Sequence, residues 1–138
     1  MTGWVVDASV FGARFFADDL EVPLPGLEEQ VASGRCIVPQ HWHLEVTNQI
    51  LTGLRRKRTD ETLAAQSILL IGAFPLIIDS ETARLAPEIY ALARKHYLTS
   101  YDAAYLELAI RSGLALASFD AALCKAARAE AVAVVIGP

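Results

Sequence analysis

Four of the 16 acidic residues stand among apolar neighbours: Asp7 in VVDASV, Glu45 in HLEVTNQIL, Asp102 in YDAAYLELA and Asp120 in SFDAALCKAA. The other acids read mainly as solvated. Asp102 aligns with Leu106 and Ala109 at helical spacing and so lies along an apolar face, whereas Glu107 of the same segment falls at a different angle. Carboxylates brought within a few ångströms repel one another and raise each other's pKa, and a divalent cation removes that penalty. Except for Arg14 and Lys95, no Lys or Arg lies within several residues of Asp7, Glu45 or Asp102, so a local salt bridge is not the obvious alternative. An all-oxygen cluster without thiolates selects a hard ion, Mg²⁺ or Mn²⁺, over zinc. Taken singly, each acid has a plainer role: Asp7, Asp102 and Asp120 as helix caps, and Glu45 as a solvated helix position. Their coincidence at one place is what favours a metal site.

That coincidence depends on the elements that carry them. Short β-branched runs alternate with segments of three- and four-residue apolar spacing, the pattern of a parallel sheet wrapped by helices. Strands are expected near Trp4 to Val6, Cys36 to Val38, Leu76 to Ile78, Leu114 to Ala117 and Val132 to Ile136, buried on both faces. Thr59 before Asp60 and Glu61, Ser80 before Glu81, and Gly113 after Ser112 mark helix ends, and the strands from Leu76 and Leu114 are separated by helices over Glu81 to Lys95 and Ser100 to Ser112. Pro87 is expected to kink or split the first of these, and Pro23-Leu24-Pro25-Gly26 to make a firm turn. In a parallel sheet, Asp7 then ends strand one and Asp120 follows strand four. Glu45 sits in the second turn of the helix after strand two, and Asp102 in the first turn of a helix that returns to strand four. All four meet at the carboxyl edge, where open parallel sheets bind ligands.

The 138 residues, 54% hydrophobic, suit a single domain over 1–138. A net charge of -4 argues against simple electrostatic DNA binding. Cys36 and Cys124, flanked by apolar residues and lacking C-x-x-C spacing, read as buried free thiols of a cytoplasmic protein and not as nucleophiles. The longest apolar run, Ile68 to Ile78, is broken by Pro75 and too short to span a membrane, and Asp7 interrupts any signal-peptide core. His41-Trp42-His43 does not make a zinc site, because i and i+2 do not face each other on a helix; it reads as a helix entry with Trp42 packed.

At VVDASV, HLEVTNQIL, LTSYDAAYLELA and LALASFDAALCKAA, in that order, the chain resembles the PIN-domain ribonucleases, and especially the VapC toxins of toxin-antitoxin pairs. The resemblance spans nearly the whole chain. It implies a three-layer α/β/α fold with a five-stranded parallel sheet, Mg²⁺- or Mn²⁺-dependent endonuclease activity on RNA, inhibition by a small cognate antitoxin, and a homodimer. Ser118 stands where Thr is usual, and Ala121 and Ala122 leave no extra acid beside Asp120, which counts against a second tightly held metal. On this reading Asp7, Glu45, Asp102 and Asp120 hold the metal. Ser9 and Ser118 either orient that shell or cap helices, and Asn48, one turn after Glu45, either braces it, touches substrate or is a plain polar position. Arg55, Arg56, Lys57 and Arg58 lie well over 10 Å along the helix from Glu45; they either grip RNA phosphates or antitoxin acids, or form a solvated helix end. A haloacid-dehalogenase-like phosphatase needs a second Asp where Ser9 stands, and a receiver domain needs adjacent N-terminal acids that are missing. A non-catalytic alternative is a PIN-fold module whose role is antitoxin or operator binding.

Overall fold

The structure is a computed structural model and describes residues 3–12 and 26–135. Five strands, Trp4–Val6 (β1), Cys36–Pro39 (β2), Ile77–Asp79 (β3), Ala115–Ala117 (β4) and Val134–Val135 (β5), form one sheet in the order β3-β2-β1-β4-β5. Every neighbouring pair is parallel. The described helices are Ala8–Gly12 (α1), Leu27–Ala32 (α2), Trp42–Arg55 (α3), Glu61–Ala73 (α4), Ala86–His96 (α5), Ser100–Ser112 (α6) and Ala121–Ala129 (α7), which with the sheet make the three-layer α/β/α fold.

The strands fall where the β-branched runs place them, with ends shifted by one or two residues. Of the run Val132 to Ile136 only Val134–Val135 pairs, and Ile136 lies outside the described residues, as do positions 23–25 of the Pro-Leu-Pro-Gly turn and Arg14. Val5, Val6, Val38 and Leu116 are fully buried, as central parallel strands require. The edge strand β3 departs from that expectation: Ile77 and Ile78 are 51% and 53% exposed, because an edge strand lacks a neighbour on one side. Gly3 opens β1 where the chain passes the Arg35 carbonyl so closely that a Cβ would lie 2.5 Å from the oxygen.

Helix ends are set by local chemistry. Asp60, not Thr59, caps α4, its carboxylate accepting the Leu63 N–H at 2.8 Å. Thr99 caps α6 by accepting the Asp102 N–H at 3.1 Å, and Gly113 closes it with φ of 69°. The helix expected from Glu81 starts only at Ala86, after turn residues 82–85. Pro87 therefore stands in the first turn of α5, where its missing N–H breaks no intrahelical bond, and it starts the helix instead of kinking it. Phe11, Trp42 and Phe74 form an aromatic knot, with the Phe11 ring 5.3 Å from each of the other two. Among the described residues no helix is long and apolar enough to cross a membrane.

Glu107 is a further departure: it is 7% exposed, not solvated. Arg111, one turn on, folds over it with Nε 2.9 Å from Oε2, and clamps both Asp79 oxygens with Nη1 and Nη2 at 3.0 and 2.9 Å. One guanidinium thus ties α6 to the end of β3, and its hydrogen bonds hold the Asp79 carboxyl below the usual range. Arg111→Ala should lower unfolding free energy by about 2 kcal/mol at pH 7 in urea titrations. Because the folded pKa of Asp79 is depressed, that stabilisation is present above about pH 4 and lost as pH falls below it. The gap between variant and wild type should therefore narrow as pH is taken down from 7 to below 4, and a gap that stays constant would refute the clamp.

Candidate active site

Chain connections leave β1 toward β2 on one side and reach β4 on the other, so the carboxyl ends of β1 and β4 flank the point where the winding reverses. Asp7 is the first residue after β1 and Ser118 the first after β4. The two loops are stitched there. Asp7 N–H donates to the Ala117 carbonyl at 2.9 Å, and the hydroxyls of Ser9 and Ser118 both donate to Asp7 Oδ2 at 2.7 Å. Each hydroxyl also accepts a main-chain N–H from the β4–α7 turn: Phe119 on Ser9 and Asp120 on Ser118, both at 3.0 Å. Asp7 is 4% exposed, and burial pushes its carboxyl up to about 6. The two hydroxyls pull the other way, while the charges of Asp102 and Glu45 add to the rise.

Glu45, in the first turn of α3, is held from two sides. Tyr105 Oη donates to its Oε1 at 2.6 Å, and His41 Nε2, one turn before it, lies 3.3 Å from the same oxygen. The same nitrogen is 3.1 Å from the Tyr101 carbonyl, and since both neighbours are acceptors, Nε2 carries the hydrogen. Burial alone would raise the Glu45 carboxyl, but the His41 and Tyr105 hydrogen bonds outweigh it and hold the group below its ordinary range. Burial raises the Tyr105 phenol, and the adjacent Glu45 raises it further, so the tyrosine keeps its proton and serves as a donor. Asp102, half-buried in the first turn of α6, is raised first by burial and then by the charges of Asp120 and Glu45. Asp120 caps α7, Oδ1 accepting the Leu123 N–H at 2.9 Å.

The four acids therefore share one sheet edge and one electrostatic field, but they are not the unpaired group that the sequence suggests. Among the described residues, no three His, Cys, Asp or Glu side chains form a group able to hold a metal ion as they stand. Asp7, Glu45 and Asp120 are each turned onto a different protein donor, which offsets mutual repulsion that close anions would otherwise suffer. The donor set nonetheless fits a hard divalent cation: it is all oxygen, and Asp7 and Asp102 are raised chiefly by burial and further by neighbouring negative charge. Burial lifts the Cys36 thiol to about 11 and raises Cys124 as well, so neither competes as a thiolate.

Asn48 makes no hydrogen bond to Glu45; it lines a shallow cleft with Gln49, Thr52, Gly53, Arg56 and Arg58. Arg55, Arg56, Lys57 and Arg58 are exposed at and just beyond the end of α3 farthest from Glu45. Sequence reasoning missed His41 and Tyr105. The signal for His41 is its i,i+4 spacing to Glu45, masked by the nearer His41-Trp42-His43 pattern; Tyr105, 60 residues from Glu45, leaves no local signal.

Fold and site define a class: a doubly wound parallel α/β protein with an acid-lined edge at its switch point. The PIN domain family model matches residues 4–129, and the chain belongs to that family. PIN domains are generally nucleases that use divalent metal ions. The chain is similar in fold to the crystal structure of PAE2754 from Pyrobaculum aerophilum, at 21% identity and a TM-score of 0.70, covering 97% of this chain and 90% of that one. No curated protein matches the chain.

Proposed function

We propose that the chain acts as one catalytic domain, a metal-dependent endoribonuclease that hydrolyses RNA phosphodiester bonds as the toxin of a toxin-antitoxin pair in the cytoplasm. The observation that carries the reading is the buried Asp7 carboxylate, framed by two serine hydroxyls at the switch point of a PIN domain and coupled to Glu45 and Asp102. Asp7, Glu45, Asp102 and Asp120 would hold Mg²⁺ or Mn²⁺ directly or through water. When bound, the ion lowers the pKa of a coordinated water and steadies the leaving oxygen. Ser9 and Ser118 fix which Asp7 oxygen faces the protein, and Tyr105 with His41 keeps Glu45 ionised and oriented. Asn48 and the basic residues Arg55, Arg56, Lys57 and Arg58 remain contacts for RNA or for antitoxin acids. The resemblance to VapC toxins supports a small antitoxin and a homodimer. Exposed apolar side chains on α4 (Ile68, Leu69, Leu70) and on β3 (Ile77, Ile78) support a protein partner as well.

The purified chain should cleave structured RNA with Mg²⁺ or Mn²⁺ and stop on chelation. Cleavage that persists in excess chelator would sink the metal reading. Ser118→Ala should reduce cleavage about 10–100-fold, as loss of a group that orients a ligand does, while Ser118→Thr should retain it. Equal activity in both variants would leave Ser118 a plain cap. A small acidic or DNA-binding protein should co-purify and silence the nuclease; activity with no such partner would retain the nuclease and remove the toxin.

A further inference from the structure

Beside the acid edge lies a cleft of about 350 Å³ between the start of α3, the middle of α5 and the start of α6. Its floor is apolar, with Ile89 and Ala104 7% and 5% exposed, and Ala93 completes it. Two tyrosines are left open to solvent on its walls: Tyr90 at 62% and Tyr101 at 60% exposure. The third aromatic is His41, whose ring centroid is 5.6 Å from that of Tyr101. His41 also turns Nε2 toward Glu45, and Tyr101 directly precedes Asp102, so cleft and acid edge share a wall. Gln40, Thr82 and Ser100 supply donors and acceptors around the apolar floor.

We propose that this cleft receives one unpaired base of the RNA strand, seated against the rings of His41, Tyr90 and Tyr101 beside the cleavage site. The proposal rests on the nuclease reading above and names the substrate it takes: a single-stranded segment or loop whose base can be splayed out. Charge argues for this occupant. The chain carries a net charge of -4, the edge beside the cleft is lined by acids and the basic run Arg55 to Arg58 lies at the far end of α3, so phosphate attraction is weak next to the cleavage site. Aromatic stacking can supply the grip there, because it acts on the base and leaves the phosphates in solvent. Size agrees, since the cleft stands at the lower end of small-ligand sites and suits one ring system better than a helix about 10 Å across. The polar groups of Gln40, Thr82 and Ser100 are of the kind that hydrogen-bond a base edge.

The test uses Tyr90→Ala, which removes a ring, and Ala93→Leu, which fills the cleft; neither residue belongs to the acid site. Oligoribonucleotides carrying 2-aminopurine or a single abasic position report the base directly. Wild type should quench 2-aminopurine at one position, and an abasic nucleotide there should raise KM about tenfold, the scale of one lost stack. Both variants should show the same rise in KM on intact RNA with kcat and Mg²⁺ dependence held, and the abasic change should add nothing in Ala93→Leu. Quenching that disappears in both variants supports the cleft even if no cleavage is seen, which separates it from failure of the nuclease reading. Metal-dependent cleavage with KM and quenching unchanged in both variants overturns the base site and leaves the nuclease standing. A shift in sedimentation of Ala93→Leu from dimer to monomer, with KM unchanged, also overturns it and assigns the cleft to contact between copies.

Discussion

Asp7→Asn is expected to reduce metal-dependent RNA cleavage at least about a hundredfold, as loss of a charged group at a reaction centre does, while stabilising the metal-free protein at neutral pH. The two effects share a cause. Burial lifts the Asp7 carboxyl to about 6, so folding favours the protonated form. That contribution is fully present below the ordinary carboxylate range near pH 4 and is lost as pH rises through 6. At pH 7.5 the folded wild type therefore carries a buried anion opposed on the order of 2–3 kcal/mol. Asparagine removes the charge, and its amide oxygen can still accept the Ser9 and Ser118 hydroxyls, so the frame around the β4–α7 turn survives. Thermal unfolding should show the variant ahead of wild type at pH 7.5 and level with it near pH 4. Added Mg²⁺ should raise the wild-type transition and leave the variant unmoved. Unchanged cleavage would remove Asp7 from the chemistry; a variant less stable than wild type at pH 7.5 would mean that the hydroxyls neutralise the carboxylate better than its burial implies.

Trp42→Ala should destabilise the fold by about 3–5 kcal/mol, lowering Tm on the order of 10 °C. The indole is fully buried, meets Phe11 edge-on at 5.3 Å and lies 6.5 Å from the Phe74 ring. Its Nε1 has no hydrogen-bond partner among the described residues. Trp42→Phe should therefore lose much less than Trp42→Ala, because it removes an unsatisfied donor along with the volume. Since Trp42 opens α3 three residues before Glu45, the Ala variant should also lose cleavage at temperatures where it is still folded. Equal losses for Phe and Ala would show that the N–H is satisfied after all, and a Tm within two degrees of wild type would show that the site collapses to fill the space.

How much of this was legible beforehand follows the range of each interaction. Trp4 to Val6 and the runs around Ile37, Ile78 and Leu116 announce strands because β-branched and apolar side chains act over a few residues. Gly113 announces the end of α6 because capping is equally local, although Asp60, beside the expected Thr59, and Thr99 emerged as caps only from the geometry. Pro87 misled because a proline inside a periodic run reads as a break, whereas the turn before it moved the helix start. Glu107 misled because the cation that permits its burial comes with a partner, Asp79, 32 residues from Arg111.

By itself the sequence determined which four acids stand apart and that a parallel sheet would carry them to its carboxyl edge, since periodicity sets element type and strand direction sets the edge. Only the tertiary structure decided where each carboxylate points. Ser118 reaches Asp7 across 111 residues and Tyr105 reaches Glu45 across 60, pairings with no local signature. The physical reason is that a buried anion must be matched to a specific donor, and those donors arrive only when distant strands and helices have closed around it.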